Sequence, residues 1–422
     1  MKKHGFLAKA AQTAAGKHGM ILLTLLNTGL ACLVVTLAGN WHCLDLPSLS
    51  NQDFMTFYLI DYRVGFVSRA LIGSIIYLFT DHPTVRMITA MLITAVMLSL
   101  LVFAFLQAQI AKKALQTADH ASLLFSYLLY LNCIFWCDSF EYIGLTDIFI
   151  TLLAQFYLIC VEKKRQLGYA LAPLVIFVGL LINTTFVFVA FPVMAAILWF
   201  DLLRQGKPER IRVVLFVLSC VLTVALFILF VFCTQSFVRV SWEELKAMMA
   251  EKYDGPLMVR YYGYYLYRQD EVRQYTAEST KDFLPFLFRS IDLSSSVIRR
   301  NFLNYLPLTA VFFAGCFYHA RQSRNRKIAY LGFFAPFVML FPALNFSDDK
   351  DRFFSLILMA QYMLLHYLMT QTHAPFLPCA AVPPLNKLSR YEEVRRKERL
   401  TRGLRIGAVV GLAFTLAGTR FL

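Results

Sequence analysis

Residues 85–113 read VRMITAMLITAVMLSLLVFAFLQAQIAKK. From Val85 to Ala108 the run carries a single charge, Arg86, and it is long enough to cross hydrocarbon as a helix. In lipid each backbone amide and carbonyl must find its partner inside its own segment, so such a run is helical. Lys112 and Lys113 close it. Working outward, similar apolar runs are Met20 to Ala38, Ala121 to Trp136, Ile143 to Val161, Tyr169 to Asn183, Thr184 to Phe200 and Val213 to Cys233. Val297 to His319, Ile328 to Leu344, Phe353 to Met369 and Gly403 to Leu422 complete the set. The expectation is an all-α polytopic membrane protein of about eleven spans; the third, fifth and sixth runs are short or abut, and merging them lowers the count to nine.

Composition agrees. Of 422 residues, 58% are hydrophobic and 16% charged, too apolar a mixture to fold around a water-soluble core. The net charge of +15 does not point to nucleic acid, because the basic residues lie between apolar runs and form no patch on a soluble domain. Nine cysteines show neither zinc-type spacing nor a disulfide framework; only Cys43 and Cys137 fall where a pair is conceivable. The basic opening residues and the long first run fit an uncleaved first span.

Cytoplasmic loops retain Lys and Arg, so alternate connections test the topology. One set, from Lys2 through Lys112, Lys163, Arg210 and Arg324 to the stretch Lys387 to Arg405, holds about 25 cations. The opposite short loops hold Arg63, Arg69, Arg86, Lys350 and Arg352. The N-terminus is therefore expected in the cytoplasm, the C-terminus outside, and the chain in the plasma membrane. Residues 1–369 form the multi-span domain, with outer loops 39–84 and 234–296. Residues 370–402 form a cytoplasmic proline-containing linker and basic amphipathic segment, and 403–422 the last span. In the first outer loop FVSRALIGSIIYLF (66–79), broken by Arg69 and Gly73, reads as an interfacial or re-entrant helix. In the second, SWEELKAMMAEKYDG (241–255) is soluble in composition, and the tyrosine–arginine run 259–275 suits either a headgroup belt or a sugar groove.

The remaining polar residues gather on the outer side. Asp53, Asp61, Arg63 and Arg69 lie in the first outer loop, Glu141 and Asp147 at the third turn, Asn183 between spans five and six, and Asp349, Lys350 and Arg352 in NFSDDKDRFF (345–354). Ionisable groups at a membrane boundary are costly and mark function. Each also has a structural reading: Asp53 as a helix cap, Asp61 in an ion pair with Arg63 or Arg69, and the 348–352 run as a turn opening a helix.

One span, a long outer loop with Asp53 in SNQDFMTFY (50–58), a membrane-hugging helix and then many spans resembles the GT-C superfamily of polyprenyl-phosphate-sugar-dependent glycosyltransferases. The resemblance implies inverting transfer of a sugar from a lipid-phosphate donor at the extracytoplasmic face, onto a glycan, lipid or protein acceptor. It makes Asp53 the candidate base, with Asp61 and Asp147 as further acidic site residues. Arg63, Arg69, Glu141, Asn183, Asp349, Lys350 and Arg352 become substrate-binding groups, with Arg63, Arg69 and Arg352 the candidates to steady the departing lipid phosphate. No cofactor is called for: Phe54 follows Asp53 where a second acid would favour a divalent metal. The partners implied are the donor, the acceptor and membrane lipids. Other readings of the same residues are a transporter or flippase of a lipid-linked sugar, a lipid-linked glycan polymerase or ligase, and a structural subunit.

Overall fold

The computed structural model describes residues 17–38, 52–117, 119–131, 146–204, 209–253, 308–317, 319, 350–371 and 376–377. Spans nine and eleven, the 259–275 run, Cys43, Cys137 and the basic stretch 378–402 lie outside these residues. The helices are α1 (Lys17–Ala38), α2 (Gln52–Leu59), α3 (Ala70–Tyr77), α4 (Val85–Thr117), α5 (His120–Leu131) and α6 (Asp147–Lys163). They continue with α7 (Arg165–Ile182), α8 (Phe186–Arg204), α9 (Arg210–Phe232), α10 (Trp242–Lys252), α11 (Leu308–Phe317) and α12 (Lys350–Gln371). The described residues form no strand, only an isolated antiparallel bridge between Gly65 and Val238. Four segments are long and apolar enough to cross a membrane, Val85–Thr117, Arg165–Ile182, Phe186–Leu203 and Arg210–Phe230, and shorter apolar helices accompany them. The protein is thus an α-helical membrane protein.

Helix α4 has 33 residues and continues nine past Ala108, where the apolar run was read to stop. At 1.5 Å per residue it is about 50 Å long, against a hydrocarbon core of about 30 Å. The extension is held by packing: Ile110, Ala111 and Ala114 are buried on it. At the centre sits α12, in contact with α4, α5, α6 and α8 and buried on every side from Leu356 to Met369. It carries Gln361, Tyr362, His366 and Tyr367 because each meets a polar partner. Tyr362 donates to Gln107 Oε1 at 2.9 Å, and Gln361 meets the Thr309 hydroxyl at 3.3 Å. Elsewhere in the interior, Gln155 donates to Ser99 and Tyr127 to Asn27. By contrast α9 turns Val214, Val217, Val221 and Val224 outward, as a lipid-facing helix does.

Helices α6, α7 and α8 run up, down and up through two tight connections. Lys164, in an extended conformation, separates α6 from α7. At the other end α7 stops at Ile182, Asn183 is extended, and α8 starts at Phe186. Gly179 makes this closure feasible, because a Cβ there would lie 2.2 Å from the Phe186 ring. Spans five and six therefore abut as the sequence suggested, with the break at Asn183. The bundle has one end marked by Asn183 and one by Lys164.

Candidate functional site

At the Asn183 end three segments distant in sequence converge. The segment before α3 is tied to the end of α7: the Ser68 hydroxyl donates to the Leu180 carbonyl at 2.6 Å and the Arg69 amide to the Leu181 carbonyl at 2.8 Å. Arg69 adopts φ 71°, ψ −1°, the left-handed region that favours glycine. Its guanidinium Nη2 donates to Asn183 Oδ1 at 3.5 Å and its Cζ lies 5.6 Å from the centre of the Phe57 ring. Asn183 Oδ1 also accepts the Thr185 amide at 3.0 Å, while Nδ2 donates to the Thr146 hydroxyl at 2.9 Å. A guanidinium and an amide both require an acceptor, which fixes the amide orientation of Asn183. Thr185 Oγ1 then reaches Asp147 Oδ1 at 3.4 Å. Arg69, Asn183 and Asp147 are all buried, and Thr185 links the amide to the carboxylate, so one cation, one amide and one carboxylate lie together inside the fold.

Asp61 and Arg63 belong to a neighbouring cluster. Asp61, 1% exposed, accepts from the Arg63 amide (2.8 Å) and guanidinium (Nη2 2.8 Å), and from Lys252 Nζ. The anticipated ion pair of Asp61 is thus formed with Arg63, whereas Arg69 turns to Asn183. Arg63 stacks on Tyr77, with Cζ 3.7 Å from the ring centre. Burial works against the Asp61 carboxylate, but the hydrogen bonds from Arg63 and Lys252 outweigh it and hold its pKa below the usual value. Burial pushes the neighbouring Tyr62 phenol up to about 12.

Asp53 is the second residue of α2. Lys350 and Arg352 lie in the first turn of α12, where the structural reading of the 348–352 run had a helix open. Glu141 and Asp349 lie outside the described residues.

Lys252 was not singled out from sequence, although a lysine closing an amphipathic helix in an outer loop is a visible signal. Nor were the buried charges of the Lys164 end. There Asp201, 1% exposed, faces Arg165 Nε at 3.5 Å, Arg212 Nη1 at 3.8 Å and the Tyr169 hydroxyl at 3.1 Å. Beside it Glu162 Oε1 lies 3.0 Å from His366 Nδ1 and accepts from the Thr370 hydroxyl at 2.7 Å. His366 Nε2 is 2.8 Å from Gln109 Oε1. A carboxylate inside AILWFDLLR (196–204) was the available signal. No group of three His, Cys, Asp or Glu among the described residues could hold a metal ion.

The fold and this buried polar constellation define a polytopic α-helical membrane protein with a charged site at one end of its bundle. No protein family, curated protein or solved structure matches the chain.

Proposed function

We propose that the chain is a membrane glycosyltransferase that moves a sugar from a polyprenyl-phosphate-linked donor to an acceptor hydroxyl at the extracytoplasmic face. In this topology eleven spans put the Asn183 end outside and the cation-rich Lys164 end in the cytoplasm. The observation that carries the proposal is the meeting of Arg69, Asn183 and Asp147. A buried arginine in a glycine-like conformation is kept there by hydrogen bonds at a cost of about 1 kcal/mol, and such strain is retained where the side chain has work to do.

In the reaction, the donor's bond from the anomeric carbon to the phosphate oxygen breaks as the acceptor oxygen bonds to that carbon from the opposite face. A carboxylate takes the acceptor's proton and a guanidinium steadies the departing lipid phosphate. Asp53 serves as base. Arg69 holds the phosphate, and Asp147 with Thr185 and Asn183 sets the floor of the site. Lys350 and Arg352, in the first turn of α12, add positive charge for the donor. The exposed Leu78 and Phe79 at the end of α3 support its lying in the interface, where a lipid donor would enter.

The test is purified protein in nanodiscs offered radiolabelled polyprenyl-phosphate sugars. Asp53→Asn is expected to abolish transfer while insertion is unchanged; normal turnover by that variant removes Asp53 from the mechanism. The polar residues Asp147, Thr151 and Gln155 along α6 give the flippase reading its one specific observation. Movement of the labelled donor between leaflets without sugar transfer would favour it.

A further inference from the structure

Two loops distant in sequence are joined beside the candidate site, and nothing in the proposed chemistry requires it. The join is made in three ways. The Arg239 amide donates to the Val64 carbonyl at 2.8 Å, alongside the bridge between Gly65 and Val238. Leu245 and Met249 of α10 pack with Leu59, Ile60, Val64, Val67 and Ala70 of the first loop in a separate apolar cluster. Between these, Lys252 at the end of α10 donates both to Asp61 and, at 2.7 Å, to the carbonyl of Leu59. Leu59 is the last residue of α2, where exposed carbonyls and the helix dipole favour a cation.

The segment thus gripped begins at Asp61 and ends at Arg69. Gly65 lies within it at φ +144°, where a Cβ would meet the Phe237 carbonyl oxygen at 2.0 Å, so the two backbones touch with no room for adjustment. At its far end the Ser68 and Arg69 bonds to α7 fix where the guanidinium emerges. Asp61 spends its oxygens on Arg63 and Lys252, which suits an anchor.

We propose that Lys252 is a positioning residue for Arg69: by holding Asp61 and the end of α2 it docks α10 on the first loop and fixes the 61–69 segment that delivers the guanidinium to the Asn183 turn. The ligand part of this inference rests on the lipid-phosphate reading above; the positioning part does not.

The test uses the full chain in nanodiscs of phosphatidylethanolamine and phosphatidylglycerol, with undecaprenyl phosphate as probe. Hydrogen exchange is followed in peptides covering 61–69 and 238–242, with the Val187–Val189 amides of α8 as the internal reference. Lys252→Met is expected to speed exchange at the Arg69 and Arg239 amides by about tenfold and leave the α8 reference unmoved. It is also expected to weaken probe binding by about tenfold, with Lys252→Arg restoring both. Should Lys252→Met not insert, Lys252→Ala, which likewise has no donor, carries the same comparison. Unchanged exchange at Arg69 in the inserted variant overturns the proposal, as does a rise of equal size in α8, which would signal general loosening. If exchange rises as expected and even the native protein ignores undecaprenyl phosphate, the positioning stands and the lipid-phosphate reading fails.

Discussion

Arg69 holds a backbone conformation that glycine would adopt without strain, and its guanidinium is what the position gains in exchange. Arg69→Gly should therefore separate folding from function. Relief of strain offsets the lost bond to Asn183, so the unfolding midpoint in a denaturing-detergent titration should correspond to a change within about 1 kcal/mol. Binding of undecaprenyl phosphate should be lost. Asp201 should behave in the opposite way. Asp201→Ala leaves the nearly buried Arg212 with a weakened counter-charge, and the same titration should show destabilisation by about 3 kcal/mol, with no direct effect on donor binding. Asp61 gives a pH test. Its pKa is lowered in the folded protein, so it adds stability that is present above the ordinary carboxylate range. That stability is lost as pH falls through the depressed folded value. The join between the loops should hold at pH 5 and loosen only below about pH 4, seen as faster exchange at the Arg239 amide. Loosening already at pH 5 to 6 would contradict the assignment.

Among elements, the α7–α8 hairpin shows how one small residue sets a site. Phe186 occupies the space where a Gly179 side chain would be, and this brings Asn183, Thr184 and Thr185 into a three-residue turn aimed at Asp147. Gly179→Val should cost about 1–3 kcal/mol from overpacking and Phe186→Ala about 3–5 kcal/mol from the cavity it leaves, and the double variant should lose less than their sum, as measured by the unfolding midpoints of the single and double variants. Additive losses would mean that the two residues do not share this contact. The existence of these helices was readable from apolar runs, since transfer to lipid is a sum over residues. Their ends were less so. The reach of α4 to Thr117 comes from packing between helices, which a hydropathy count does not register, whereas the opening of α12 in the 348–352 run was legible as a charged turn.

At the scale of the whole molecule, the proposed eleven-span topology would put Asp53, Asn183 and Asp349 in the same aqueous phase. Single cysteines beside Asp53 and Asp349, in a chain whose native cysteines are replaced, should both react with a membrane-impermeant maleimide added from outside; reaction from opposite sides would dismantle the proposed site. The alternation of charge between spans was legible because each loop's Lys and Arg content is local. So was the gathering of Asp61, Arg69, Asp147 and Asn183 toward one end. What the sequence alone determined is the solvent of this protein, lipid, and with it the helices and their order, because burial preference is written residue by residue. Which of those polar groups meet was decided only by the tertiary structure. Arg69 pairs with Asn183 and not Asp61, Lys252 takes Asp61, and Asp201 draws Arg165 and Arg212 to the other end. Hydrogen bonds and ion pairs act over a few ångströms, so they depend on how helices from remote parts of the chain are packed, and no local pattern records that.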